Sequence, residues 1–229
     1  MNKILLKLLF LHTFLFFYSC DSDEWSFDIP GCMNQTATNY DSSATVSNGS
    51  CYFGNQITII DINTSSYEDW VYFSFLSGGE VVLADSPDSS LEWDIAFKRN
   101  HIKANGGVSG VGEVCAIVDE SQVWTNDSFN TINEIPDGLE CQLDEEISGD
   151  IFTFQGCYNP QTHIFMNCEK NPALDKWGSF DQSYHFNISN YQLFIKNIQG
   201  EYIKIWMMSY YDVNNESGHI SMSYRLLND

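Results

Sequence analysis

Positive charge is what this 229-residue chain has least of: 10 Lys and Arg stand against 31 Asp and Glu, a formal net charge of −21. Nucleic acid is excluded as a partner, because such binding is driven by neutralising phosphates with basic side chains. Anionic membrane surfaces are excluded as contact partners by the same sign argument. Two of the basic residues, Lys3 and Lys7, lie in the first nineteen positions, where no acidic residue occurs, so a form lacking that segment is more acidic still. A sustained helical period is also missing, and after the first twenty residues no apolar run approaches the length a spanning helix needs. Catalytic frames are absent as well. There is no G-x-S-x-G and no H-E-x-x-H, and no C-x-x-C pair prepares a thiolate zinc site. Carboxylates are so numerous that chance pairs among them carry no weight, and the expectation is a protein that is not an enzyme.

What is present begins with export. Lys3 and Lys7 precede an apolar run from Leu8 to Phe17, the charged and hydrophobic regions of a secretory signal over residues 1–19. The segment closes on Phe17-Tyr18-Ser19-Cys20, which resembles a bacterial lipobox with Cys20 as the acylated residue. Each buried methylene of an acyl chain contributes about 0.8 kcal/mol, so two or three chains anchor a protein durably. Asp21, Asp23 and Glu24 follow in an acidic tether over residues 20–30. The expectation is an outer-membrane lipoprotein, exposed at the cell surface.

Six cysteines remain after Cys20, an even number that in an exported chain reads as three disulfides. Cys32 and Cys51 bound a small module, residues 31–55, with too little apolar content to build a core, so a Cys32–Cys51 bridge is expected to hold it. Its Gly31-Cys32 opening, Asn39-Tyr40 centre and Gly49-Ser50-Cys51 close resemble a short segment repeated in many exported proteins of marine bacteria. Asn39, Asp41, Asn48 and Ser50 offer oxygens to calcium, though these residue types also populate turns unaided. For the other four, a turn at Gly149 suggests Cys141–Cys157, leaving Cys115–Cys168 by elimination.

Residues 56–229 read as strands. Val71 to Phe75 is aromatic and β-branched, and Gly78-Gly79 turns it into Glu80 to Leu83, a hairpin pattern. Trp93 to Lys98 and Ile102-Lys103 continue it. Near the end, Gln192 to Lys196 passes through Asn197–Gly200 into Glu201 to Trp206, and a last strand covers His219 to Leu226. The alternation there suits half-buried antiparallel strands. The stretch from 119 to 186, with Pro136, Pro160, Pro172 and three cysteines, reads as long irregular loops pinned by disulfides.

Two segments carry a resemblance. The first is Trp70-Val71-Tyr72-Phe73-Ser74-Phe75, then Trp93-Asp94-Ile95-Ala96-Phe97-Lys98-Arg99, then Asn105-Gly106-Gly107-Val108-Ser109-Gly110-Val111-Gly112. The second runs from Tyr191 to Ile205 and on through Ser209-Tyr210-Tyr211, Gly218 and Tyr224. In this order they resemble the signature and closing hairpin of the HmuY family. That resemblance implies an all-β, antiparallel β-sandwich with long disulfide-pinned loops. It implies a haemophore: a surface protein that binds haem b or another tetrapyrrole between two axial side chains and yields it to a TonB-dependent outer-membrane transporter. The signature itself reads as structural, with Trp70, Trp93 and Phe97 in the core and Asn105-Gly106-Gly107 supplying unusual backbone angles.

Axial ligands fall, by the resemblance, between the signature and the closing hairpin, where haem iron accepts imidazole or thioether. That stretch holds His163, His185 and Met166. His163 and Met166 are the candidate ligands, either but not both, since positions three apart on one loop do not flank a flat macrocycle. His185 and His101 read as structural. The first ligand region, residues 123–141, has neither His nor Met, which leaves open a single ligand with water opposite, another tetrapyrrole, or a different ligand. Trp124, Phe129, Tyr158 and Trp177 either line a cleft or cover loops. The competing expectation is a non-catalytic module for glycan, peptide or another surface ligand on the same scaffold.

Overall fold

The computed structural model describes residues 28–33, 40–47, 56–152 and 156–227. The signal segment, Cys20, Cys51, Asn39, Asn48 and Ser50 lie outside them. Within the small module, β1 (Pro30–Gly31) pairs in parallel with β2 (Val46–Ser47). Cys32 is buried and disulfide-bonded. Asp41 spends its carboxylate on its own turn, accepting from Ser43 N at 2.8 Å and Ser43 Oγ at 2.6 Å, which accounts for that residue without calcium.

Two antiparallel sheets form the main domain. The larger runs β3 (Ile57–Asn63), β17 (Ser217–Leu226), β16 (Tyr202–Tyr211), β15 (Tyr191–Lys196) and β8 (Cys115–Val123) in spatial order. The smaller runs β5 (Gly79–Val81), β4 (Val71–Ser74), β6 (Ile95–Lys98) and β7 (His101–Ala104). The expected hairpins are present, turned at Gly78 (φ 70°) and Gly200 (φ 81°), where only glycine enters the left-handed region cheaply. Phe73, Ile95, Phe97 and Ile102 from one sheet meet Ile195, Ile205, Met207 and Ile220 from the other in one core. Removing such side chains from water is the main stabilising term, at roughly 25 cal/mol per Å² of apolar surface.

The larger sheet departs from a half-buried pattern. Leu193, Phe194 and Ile195 are all buried, because both faces of β15 are covered. Leu193 and Ile195 face the sandwich core, while Phe194 joins Ile117, Trp124, Phe129 and Leu227 in a second cluster. A short helix, α1 (Asn126–Thr131), contributes Phe129 to that second layer. Thr125 caps it, accepting from Ser128 N at 3.1 Å while Ser128 Oγ accepts from Thr125 N at 2.8 Å.

Signature residues act as joints between segments. Asp94 accepts from Phe75 N at 2.7 Å and from Ile198 N at 3.0 Å, tying β4 to the closing hairpin. Asn105 donates to Ser90 O and Trp93 O and accepts from Gly112 N at 3.1 Å. Gly107 sits at φ 62°, whereas Gly106 is required by space, since a Cβ there would run into the Val114 carbonyl. Trp93 and Phe97 are fully buried as expected. Trp70 is not in the core: it is half-buried, with the Lys98 and Lys103 ammonium groups 4.7 and 4.9 Å from its ring.

The stretch from 119 to 186 is more ordered than its composition suggests. Three two-stranded ribbons fill it: β9 (Glu145–Ile147) with β12 (Cys168–Lys170), β10 (Cys157–Asn159) with β11 (Ile164–Met166), and β13 (Gly178–Phe180) with β14 (Phe186–Ile188). Asp144 locks the β9–β12 ribbon to the sandwich, accepting from Ala104 N and Asn171 Nδ2, and burial pushes its carboxyl up to about 6.

Disulfide pairing differs from the sequence expectation. The bridges are Cys115–Cys141 and Cys157–Cys168, with Cα atoms 5.4 and 5.6 Å apart, not Cys141–Cys157 and Cys115–Cys168. Gly149 does lie at a close approach, but it admits the chain against the backbone of Phe165 in β11 rather than turning 141 back onto 157. An antiparallel bridge between Ala116 and Gln142 sets Cys141 beside Cys115. Removing the Cys115–Cys141 bridge, with a sequence separation of 26, should cost about 3.5 kcal/mol in the chain-entropy model. Denaturant unfolding of the Cys115→Ala/Cys141→Ala double variant measures it.

Candidate functional site

The ribbon of β10 and β11 carries the candidate iron ligands. Asn159 shapes its turn, accepting from Gln161 N at 2.9 Å and Thr162 N at 3.1 Å, and His163 completes it at φ 55°. That left-handed residue turns the imidazole back along the ribbon, where its Nδ1 lies 2.7 Å from Tyr158 Oη. Tyr158 in turn packs on Phe165, its cross-strand partner, with ring centroids 5.2 Å apart.

Strand pleat decides how the two candidates relate. Tyr158 and Phe165 face one another on one side, whereas Cys157 opposite Met166 points to the other. His163, bonded to Tyr158, therefore belongs to the first face and Met166 to the second. The structure does not bring them to a common point. Around them the surface is apolar and exposed: Ile164, Met166 and Tyr158 on the ribbon, with Ile151 and Phe152 on the segment that crosses β11 at Gly149. Phe152 is 90% exposed.

The first ligand region offers no counterpart. Trp124 and Phe129 are buried in the second cluster, and Trp124 Nε1 donates to Ile205 O at 2.8 Å. Trp177 is likewise core, donating to Asn100 O. Of the four aromatics weighed for a cleft, Tyr158 alone is exposed. His185 stacks on Tyr211 with centroids 4.8 Å apart, and His101 is buried, its pKa driven down to about 4 by desolvation, so both are structural. A concavity of 390 Å³ opens beside the Cys115–Cys141 bridge. Gly107, Val111, Leu143, Glu113 and Lys196 line it, bringing one charge of each sign to an apolar floor.

The family model described as HmuY protein matches residues 66–224. The chain belongs to the HmuY family. HmuY proteins are binding proteins rather than enzymes. A Bacteroides vulgatus protein described as an HmuY-like heme binding protein is 22% identical, with 74% of this chain and 91% of that one covered and a TM-score of 0.56. A Bacteroides fragilis protein described as a lipoprotein shares 18% identity over 76% and 91% of the two chains, with a TM-score of 0.58. The apo HmuY analogue of Tannerella forsythia shares 20% over 76% and 98%, with a TM-score of 0.55. These likenesses establish the antiparallel HmuY fold. No curated protein matches the chain. Among the described residues, no helix is long and apolar enough to cross a membrane.

Sequence reasoning named His163 and Met166 but missed what places them. The Tyr158–His163 bond spans five residues across a turn, and Pro160 within that turn was the available signal.

Proposed function

We propose that this HmuY-family protein is a surface-anchored carrier that captures haem or another tetrapyrrole and passes it on for uptake, doing no chemistry on it. The observation that carries the reading is the β10–β11 ribbon, where a histidine held by a tyrosine shares one face with the rings of Tyr158 and Phe165. A flat macrocycle removes such side chains from water, and its iron accepts an imidazole nitrogen. In the tautomer where Nδ1 donates to Tyr158 Oη, Nε2 of His163 is left for the metal and the ring's direction is fixed, the usual role of a partner behind a metal-bound histidine. With neither His nor Met in residues 123–141, coordination is one-sided, and water or a group from a donor protein fills the opposite position. Met166 is the alternative ligand, approached from the other face. Cys20 would supply the lipid anchor and a TonB-dependent transporter the destination.

A different reading has its own observation. The 390 Å³ hollow beside Cys115–Cys141 suits a small mixed-polarity ligand, such as part of a glycan or peptide, better than a whole porphyrin.

Haemin titration of the protein, followed by visible absorption in the ferric and ferrous states, tests the choice. The expected result is a saturable Soret shift that His163→Ala abolishes and Met166→Ala leaves in place. Tyr158→Phe should weaken binding by about tenfold while retaining the shift, because it removes orientation rather than the ligand. Spectra identical to free haemin would discard the carrier reading and leave the hollow as the site.

A further inference from the structure

The turn joining β16 to β17 gathers a set of side chains that the tetrapyrrole reading does not use. Asp212 stands at its start and shapes it, accepting from Glu216 N at 2.7 Å and Asn214 N at 2.9 Å. These bonds, the one from Glu216 foremost, hold its carboxyl below the usual carboxylate range. Glu216 ends the turn, and His219 follows on β17 with its side chain only 13% exposed. One carboxylate oxygen from each acid and a ring nitrogen of His219 all lie within 4.8 Å of one another.

A fourth residue comes from the opposite end of the chain. Asp61 Oδ1 lies 2.6 Å from His219 Nδ1. It reaches there through a bulge in β3. His219 pairs with Asn63 and Ile220 with Ile62, but Met222 pairs with Ile59, so two residues of β3 oppose Ser221 alone. At that bulge Asp61 takes φ 66°, which re-aims its carboxylate toward the histidine.

When protonated, His219 forms an ion pair with Asp61 and its charge also favours the Asp212 carboxylate, but it gives the Glu216 carboxylate no hydrogen-bonded or ion-paired partner of its own among the described residues. Asp212 and Glu216 converge on the same imidazole, and among the described residues no Lys or Arg is paired with either. Arg99, whose guanidinium reaches the adjacent residue, is committed to Ser217 O at 3.0 Å and Ser217 Oγ at 2.8 Å. Two carboxylates this close at the surface repel by about 1 kcal/mol, which a cation between them relieves.

We propose that Asp212, Glu216 and His219 form a divalent transition-metal site, with Asp61 setting the histidine's tautomer. One imidazole and two carboxylates are a donor set for zinc. Calcium, which takes oxygen ligands, gains nothing from the imidazole. Asp61 accepting the Nδ1 proton leaves Nε2 as the donor, the carboxylate–histidine–metal arrangement. Three protein ligands leave coordination positions for water, so the site is open rather than a closed structural centre.

The test is a zinc chloride titration of the chelator-treated protein by calorimetry, alongside thermal unfolding. One equivalent should bind and raise the melting temperature. His219→Gln should abolish that binding, and Asp61→Asn should weaken it 10–100-fold. Glu216→Gln, at an exposed turn position with no role in packing, should weaken it at least tenfold with the circular dichroism spectrum unchanged. Equal concentrations of calcium should not displace the zinc. Zinc binding that is absent, indifferent to Glu216→Gln, or displaced by calcium would overturn the proposal.

Discussion

Asp94→Ala is expected to lose about 3–5 kcal/mol of stability, a large fraction of the roughly 5–15 kcal/mol that holds an ordinary domain. The carboxylate is 1% exposed and accepts from two backbone N–H groups of segments more than a hundred residues apart, Phe75 and Ile198. Alanine removes the acceptor while leaving both donors in place, and each buried donor without a partner costs about 1–3 kcal/mol. The cavity adds to this. Burial raises the Asp94 pKa, while the two backbone bonds oppose the shift. Asp94→Asn keeps one acceptor oxygen but turns an NH2 toward the other N–H, because Phe75 and Ile198 bond to different carboxylate oxygens, so it should recover less than half of the loss. Urea unfolding of the three proteins decides the matter, and equal midpoints for alanine and wild type would show that the joint is not used.

How far such a joint was legible follows from its spacing. The hairpins could be read directly, because glycine turns and period-2 alternation are local and β4, β5, β15 and β16 lie on either side of short connections. The signature could be recognised as structural, yet nothing in it said that Asp94 reaches Ile198 or that Trp70 leaves the core to meet two lysines. The short strands between 145 and 188 escaped because three residues are too few to display a period. Cysteine pairing escaped for a related reason. Local turn chemistry pointed to Cys141–Cys157, whereas the Ala116–Gln142 bridge, a tertiary contact, fixed Cys141 beside Cys115. At the ligand ribbon, His163 and Met166 were named from residue type and from the segment where the family resemblance puts ligands, but their placement on opposite faces depends on a register that only the folded strands supply. The His219–Asp61 contact joins residues 158 apart through a bulge, and no local pattern announces it.

Lys204→Met is expected to change the sign of its effect with pH. Lys204 is completely buried behind the larger sheet, against the second hydrophobic cluster, and its ammonium donates to Ile132 O at 2.5 Å and lies 5.3 Å from the Phe129 ring. Arg225 approaches the same layer and donates to Asn130 O at 2.9 Å. Desolvation first, and the Arg225 charge second, lower the Lys204 pKa from 10.5 to about 7. Below pH 7 both folded and unfolded chains hold the proton, and the folded state bears the full cost of a buried charge. Between 7 and 10.5 the unfolded chain alone keeps it, so stability rises with pH across that window and is lost again as pH falls through it. Methionine fills similar volume with no charge, but it leaves the Ile132 carbonyl without its donor, a cost of about 1–3 kcal/mol that does not titrate. At pH 6 the variant should equal or exceed the wild type, since relief of the charge outweighs the orphaned carbonyl. At pH 9.5 the wild-type lysine is neutral and still donates, so the variant should be the less stable of the two. Guanidinium unfolding at both pH values measures the difference, and parallel stability curves across the window would mean that Lys204 keeps its proton in the fold.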